Sequence, residues 1–270
     1  MINKETLDMI YDETEELIVR YRTINDRLME SIKNNTLYLN DPNKFNDPFD
    51  CVSMINEDDF TRVVLGKIFD EATRTGINPN TPDAILKFNK QIETMKSLVA
   101  TSKEEIKQVG IACFCETTHN TLMWSHYADS HRGICLVYKK SEIEDFAKAN
   151  NNFIFKKVDY IKSLKSHNHF DFISNKLDIK SLLHLKGDVW EYENEWRLIS
   201  TTCSERNIKS PQLHAVIFGY KTTDDNIVKI YEILGDDFIY FKMLADLEIL
   251  KLRPHRFMPI VVKNKLKPSS

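Results

Sequence analysis

An α+β fold built on a mainly antiparallel sheet is what this sequence predicts, and three observations carry the prediction. Short β-branched and aromatic runs recur along most of the chain. Helical periodicities interrupt them, with short turns between. One block, about 56–107, changes to purely helical spacing.

The elements follow in order. Thr6 to Leu17 places Met9, Ile10, Glu13 and Leu17 at helical spacing with an acidic outer face. Ile18 to Thr23 reads as a short strand, and Asn25 suits the cap of a helix running through Leu28, Met29 and Ile32. Thr36 to Leu39 is strand-like and stops at the turn formers Asn40-Asp41-Pro42-Asn43. In the helical block, Phe60, Val63, Val64, Ile68 and Phe69 share one face, and Ile85, Phe88, Ile92, Met95 and Leu98 share another. Asn78-Pro79-Asn80-Thr81-Pro82 separates the two helices, with Thr81 or Asn80 starting the second. Strands are expected at Gly110–Cys115, Gly133–Tyr138, Phe153–Ile161, Trp196–Thr201, Leu213–Phe218 and Leu247–Leu252. Helices are expected from the capping-box pattern Ser141-Glu142-Ile143-Glu144, near Phe170–Lys186 and over Asp224–Leu234. The whole reads as one domain, 1–262, with a helical insertion packed on the sheet and a flexible tail at 263–270.

Composition bounds the function. Of the 270 residues, 42% are hydrophobic, enough for a real core. A mean hydropathy of -0.39 and the lack of a long apolar run exclude a membrane-spanning helix, and Met1 to Glu5 show no apolar leader. A net charge of -3 excludes a broadly basic nucleic-acid footprint. Five cysteines without framework spacing imply reduced thiols and a cytoplasmic location. The seven glycines lie no closer than ten residues apart, so neither a dinucleotide fingerprint nor a Walker loop can exist.

Four constellations carry candidate chemistry. Arg20 and Arg22 point to one face of the early strand and Tyr21 to the other. Paired guanidiniums repel unless an anion or a carboxylate lies between them, and a diphosphate suits their planar forks; the competing reading is a solvated face paired with acidic neighbours. Phe45-Asn46-Asp47-Pro48-Phe49-Asp50 describes a stiff turn, anchored by its aromatics or presented to a ligand by Asn46, Asp47 and Phe49. Trp124, Ser125, His126 and Tyr127 combine an aromatic surface with polar tips that suit a flat ring and a ribose, with core packing of Trp124 as the alternative. Cys113 and Cys115, with one residue between them, do not have the spacing of a zinc pair; with His119 they make three potential ligands, against the more ordinary reading of cysteines as buried hydrophobes. Glu191, Glu193 and Glu195 alternate before Arg197, so an extended segment turns all three carboxylates one way. Such a face is costly between Trp190, Tyr192 and Trp196 unless a cation or substrate separates the charges.

Taken in order, these motifs resemble a known family. They are Tyr21-Arg22-Thr23, Leu37-Tyr38-Leu39, the Phe45–Asp50 turn, Ala112-Cys113-Phe114-Cys115, Met123 to Asp129, His131 to Cys135, Tyr192 to Ile199 and Val216 to Gly219. Over roughly Ile18 to Leu252 the chain resembles family 2971, a widespread bacterial domain of unknown function found among phage-defence and toxin-like genes; Cys115 stands where that family usually carries a serine. The family has been compared with ADP-ribosyltransferases. That comparison implies NAD as substrate, bound by Arg20 or Arg22 and flanked by aromatics, with Glu195 at the nicotinamide ribose and Glu193 two residues before it. A carboxylate there stabilises the oxocarbenium-like centre formed when the nicotinamide bond breaks.

The leading expectation is thus an intracellular ADP-ribosyltransferase-like protein that uses NAD to modify a protein or nucleic acid, or to cleave NAD. The rival is a non-catalytic nucleotide-sensing or protein-interaction module of the same fold. A metal-dependent nuclease using Glu191, Glu193, Asp47 and Asp50 ranks last. The enzyme reading makes a spatial demand: Arg20–Arg22 and Glu193–Glu195 line one cleft, walled by Trp124–Tyr127 and Asn46–Asp50, with Arg22 or Arg197 in ion-pair reach of the glutamates.

Overall fold

A computed structural model describes residues 10, 16–47, 50–51, 62, 65–66, 69–70, 72–76, 78, 80–162, 182–203 and 206–266. The chain divides into two compact units. The first comprises Met1–Leu39, Ile111–Lys157 and Tyr192–Ser270; the second comprises Asn40–Gly110 and Val158–Glu191.

In chain order the elements are β1 (Leu17–Arg22), α1 (Asp26–Lys33), β2 (Thr36–Tyr38), α2 (Pro82–Lys107), β3 (Gly110–Cys115), α3 (Thr121–Tyr127), β4 (Ile134–Lys139) and α4 (Lys140–Ala149). There follow β5 (Phe153–Lys157), β6 (Asp159–Ile161), β7 (Leu185–Gly187), a 3-10 turn at Asp188–Glu193, β8 (Glu195–Ser200), β9 (Asn207–Lys209), β10 (Ala215–Phe218), α5 (Asp224–Leu234), β11 (Ile239–Asp246), β12 (Lys251–Arg256) and α6 (Pro259–Leu266).

The first unit is an eight-stranded sheet of order β12-β11-β10-β4-β1-β3-β8-β5 with flanking helices. Antiparallel pairing joins β1 to β3 and β4, β4 to β10, β5 to β8 and β11 to β12, whereas β10 and β11 run parallel. Parallel neighbours need a crossover, and α5 supplies it. Thr223 caps α5 by accepting from the Asn226 amide, and Gly235, at φ +82, ends it. Asn25 caps α1 as the sequence predicts, accepting from the Leu28 amide at 2.9 Å.

Each sheet face carries its own core. On one face, Ile18, Phe114, Leu136, Tyr138, Leu198 and Phe218 pack with Leu28 of α1 and Ile227, Ile230 and Tyr231 of α5. On the other, Leu17, Val19, Tyr21, Cys115, Cys135, Val137, Ile217 and Phe241 pack with Met123 and Trp124 of α3. These are called the α1–α5 face and the α3 face. Each fully buried aliphatic side chain contributes about 1.5–3 kcal/mol of transfer free energy.

In the second unit α2 is capped by Thr81, whose hydroxyl accepts from the Ala84 amide, and Phe88 on it lies 6.4 Å from Phe69 between ring centroids. β6 and β7 pair in parallel. Buried Lys186 approaches buried Asp50 at 3.6 Å and sits over the Trp190 ring.

Several expectations are corrected. Leu17 belongs to β1 and not to a helix, because strand pairing with Lys139 claims it. The segment Phe153–Ile161 is broken at Val158 into β5 of the large sheet and β6 of the second unit. Leu185 and Lys186, expected to end a helix, belong to β7. Residues 247–250 form a turn with Leu250 at φ +53, so the last strand begins at Lys251. β11 was not expected at all: it is covered on both faces over its first half, so its sequence does not alternate. α4 starts one residue before the capping-box serine, because the Lys140 amide donates to Glu16 carbonyl at 2.8 Å. Residues 263–266, expected in a tail, continue α6. Met9, Glu13, Phe49, Phe60, Val63, Val64, Ile68, most of Phe170–Lys186 and the side chains of Met95 and Leu98 lie outside the described residues.

Two glycines fix the edge where β1, β4 and β10 end. A Cβ on Gly133 would lie 2.3 Å from the Arg22 carbonyl oxygen, and one on Gly219 would lie 2.2 Å from that of His131. Backbone cannot retreat from either contact without breaking ladder bonds. Gly133→Ala and Gly219→Ala are each expected to lose about 3 kcal/mol of stability, near the upper end of the usual range for point changes, read as a lower urea midpoint with unchanged slope.

Candidate functional site

The sheet carries two polar centres, one on each face. On the α1–α5 face lie the guanidiniums of β1. Arg20 is buried at 5% exposure, and Arg22 is half-buried beside it. Arg20 sits 5.3 Å from the Phe114 ring centroid and donates one long hydrogen bond, 3.5 Å, from Nη2 to the Tyr38 carbonyl. Its Nε has no hydrogen-bond partner. Among the described residues no carboxylate pairs with either arginine. A further charge of the same sign, Arg27 over the Tyr38 ring at 5.0 Å, acts on Arg22. Burial first, and the positive charge of Arg22 next, pull the Arg20 guanidinium down to about 10. Burial likewise lowers Arg22. A buried cation with neither counter-ion nor full hydrogen bonding is an unmet electrostatic need.

On the α3 face the polar groups satisfy one another. Arg197, fully buried, donates from Nε to Glu195 Oε1 at 2.7 Å and from Nη2 to Oε2 at 3.1 Å, a two-point pair within β8. Tyr127 at the end of α3 donates to Glu193 Oε1 at 2.6 Å. Asn120 caps α3 by accepting from Leu122 and Met123 amides, and its own amide donates to the Tyr192 carbonyl at 2.8 Å. Trp124 is wholly buried, its indole N–H donating to Thr118 carbonyl and its ring edge-on to Tyr21 at 5.0 Å. The Tyr21 hydroxyl donates to Thr117 carbonyl at 2.8 Å.

Tyr21, Trp124, Tyr127, Glu193, Glu195 and Arg197 are therefore gathered on one face, with Arg197 in ion-pair contact as expected. Arg20 and Arg22 are not among them. In β1, Ile18 belongs to the α1–α5 face and Leu17, Val19 and Tyr21 to the α3 face. In β8, Trp196 and Leu198 belong to the α1–α5 face, which turns Glu195 and Arg197 to the α3 side. The expected common cleft of arginines and glutamates is overturned by this alternation. The three-carboxylate strand face is corrected as well. Asp188–Glu193 winds into a 3-10 turn, and Asn194 at φ +44 separates it from β8, so of the three glutamates only Glu195 is on the strand.

Ser125 donates to Thr121 carbonyl and shares a 3.1 Å hydrogen bond with His131 Nε2, whereas His126 is exposed. Asn46, exposed, and Asp47, buried, belong to the second unit. Among the described residues no three His, Cys, Asp or Glu side chains gather as a metal site would require. The sequence reading missed two features. Glu116 accepts from Lys157 at 2.7 Å and from the Trp196 indole at 2.7 Å. Burial raises it, but those two hydrogen bonds outweigh burial and hold it below the usual carboxylate range. The loop after α3 runs through Asp129, Ser130 and His131, all left-handed at φ +48, +51 and +71.

Comparison with known families matches residues 123–198, from α3 to β8, to a family described as protein of unknown function (DUF2971). The resemblance read from the motifs holds over that segment. Comparisons with curated proteins and with solved structures found no match.

The α3 face makes its own expectations. Arg197→Met strands the Glu195 carboxylate in the interior and is expected to destabilise by about 3–5 kcal/mol, against about 1–2 kcal/mol for Tyr127→Phe, both measured by urea denaturation. Burial pushes the Cys115 thiol up to about 12, and Cys135 also rises for the same reason. Both thiols are therefore protonated at pH 8. Thiol-reactive dyes at that pH are expected to leave Cys115 and Cys135 unlabelled until denaturant is added, as peptide mapping would show.

Proposed function

We propose that the chain is a non-catalytic module, of ADP-ribosyltransferase-like fold, that binds a diphosphate-bearing nucleotide, NAD or a relative of it, on Arg20 and Arg22. One observation carries the reading: two neighbouring guanidiniums are withdrawn from water on one strand face with no carboxylate beside them among the described residues. A diphosphate supplies the missing charge and accepts from the idle Arg20 Nε. Its binding offsets the cost of keeping these cations charged away from water, so ligand and fold stabilise each other. The absence of a glycine-rich loop fits, because the phosphates are met by side chains and not by a backbone cradle.

The transferase reading asks more of the molecule. It needs the arginines that hold NAD and the glutamate that meets its ribose in one place. The two sets face opposite ways, and Glu195 is already engaged by Arg197. A sensor that reports a nucleotide, as a phage-defence gene product or a regulated toxin requires, needs only the arginine face.

The test is calorimetric and thermal. NAD, ADP-ribose and ADP are expected to bind and raise the melting temperature, with affinity falling as salt rises. Arg22→Gln is expected to weaken binding at least tenfold, roughly the 1.5–3 kcal/mol of a charge-assisted hydrogen bond. The sign for Arg20 is opposite in the free protein. Its folded-state pKa lies below the unfolded value, so the charged form is disfavoured by folding at every pH below about 10, and the penalty fades only above that. Arg20→Met is therefore expected to leave the unliganded protein at least as stable at pH 7 while abolishing the ligand-induced shift. Release of nicotinamide from labelled NAD that disappears in Glu195→Gln would overturn the non-catalytic reading.

A further inference from the structure

We propose that the cavity between α1, β4 and the segment after β9 holds the nucleoside of the ligand whose diphosphate lies on Arg20 and Arg22, so that the ligand class is a nucleoside 5′-diphosphate and not a free diphosphate. This rests on the anion-binding reading above and adds the part of the ligand that the arginines do not see.

The cavity has a volume of about 420 Å3, within the range of small-molecule sites. Its lining is apolar at Leu28, Leu136 and Phe238, and polar at Lys209, at buried Ser210 and at the exposed rim amides Asn35 and Gln212. A flat ring with hydrogen-bonding edges suits that combination. The rim amides offer donor and acceptor together, as a base edge requires, whereas an acyl chain would leave them unanswered. The cavity opens on the same sheet face as the guanidiniums and one strand step away. Leu136, which lines it, is the direct cross-strand partner of Arg20. Thr36, which also lines it, belongs to β2, the strand whose Tyr38 carbonyl accepts from Arg20. Tyr138 stands at the junction. It lines the cavity, is in hydrogen-bond contact with Ser210, and lies close enough to Arg20 and Arg22 for their positive charges to act on its hydroxyl. Register therefore places the apolar volume on the same sheet face as the cations, with Leu136 as the residue that joins them.

Titration calorimetry with pyrophosphate, ADP and dodecyl phosphate tests this on the full chain. ADP is expected to bind at least tenfold more tightly than pyrophosphate. Ser31→Trp, which fills the cavity from the α1 wall, is expected to erase that advantage while leaving pyrophosphate affinity unchanged. Gln212→Ala, at the exposed rim, removes a base contact without touching the core and is expected to weaken ADP severalfold and pyrophosphate not at all. Equal affinity for ADP and pyrophosphate in the unaltered chain overturns the cavity assignment and keeps the arginine site. ADP binding that is lost in Ser31→Trp but unaffected by Arg22→Gln keeps the cavity and overturns the arginine site. Tighter binding of dodecyl phosphate than of ADP overturns the nucleoside in favour of an acyl occupant, and failure of both ADP and pyrophosphate to bind overturns both assignments.

Discussion

Successive side chains of a β-strand leave on opposite faces, and in β1 that constraint decides what the first unit can do. β1 lies inside the sheet, hydrogen-bonded to β4 along its whole length and next to β3 on the other side, so it has no freedom to twist a residue from one face to the other. Its sequence Leu-Ile-Val-Arg-Tyr-Arg is therefore a partition. Tyr21 joins the α3 core against Trp124, and Arg20 and Arg22 join the α1–α5 face. A shift of one residue in register would exchange the two sets, but it would also bury both guanidiniums in the Trp124 core. The same rule applied to β8 commits Trp196 and Leu198 to one face and Glu195 and Arg197 to the other.

Two centres of similar composition then have different characters because one is complete and the other is not. Glu195 and Arg197 lie two residues apart on one strand, so strand geometry alone brings carboxylate and guanidinium together. The pair saves itself from the cost of isolated burial. Tyr127 and Asn120 extend the closure by tying α3 to the 3-10 turn before β8. Such a set holds structure together. Arg20 and Arg22 are also two residues apart, but like charges so placed cannot satisfy each other. Phe114 and the Tyr38 carbonyl soften their position without neutralising it.

Much of this was legible in the residues, and the rest was hidden for identifiable reasons. The alternation of Arg20, Tyr21 and Arg22, the Asn25 and Thr81 caps and the short antiparallel strands are local properties, and each emerged as read. The face on which Glu195 lies is not local. It depends on which strands lie between β1 and β8, and nothing in the sequence states that β3 intervenes. The alternating glutamates misled because spacing by two describes a strand only if the backbone is extended, and Asn194 in a left-handed conformation ends that condition. β11 was missed because residues buried on both faces lose the alternation that marks a strand. Glu116 attracted no notice because its partners Lys157 and Trp196 lie 41 and 80 residues away.

The few glycines acquire a meaning that is the reverse of a phosphate cradle. In a glycine-rich loop the missing Cβ lets backbone amides reach the anion. Here Gly133 lets the β4 entrance press against the carbonyl of Arg22, and Gly219 lets β10 press against the carbonyl of His131. The bonds from the Gly219 amide and the Thr222 hydroxyl to the Gly133 carbonyl lock that corner. The absent side chains thus fix where the Arg22 backbone sits. A guanidinium carries a full charge on a planar fork, whereas an amide carries a fraction of one. An anion held by two such forks on a rigid strand can be bound tightly without any flexible loop. The strain of the left-handed Asp129–His131 backbone is sustained by the same corner, because the Lys221 amide donates to the carbonyl of His131.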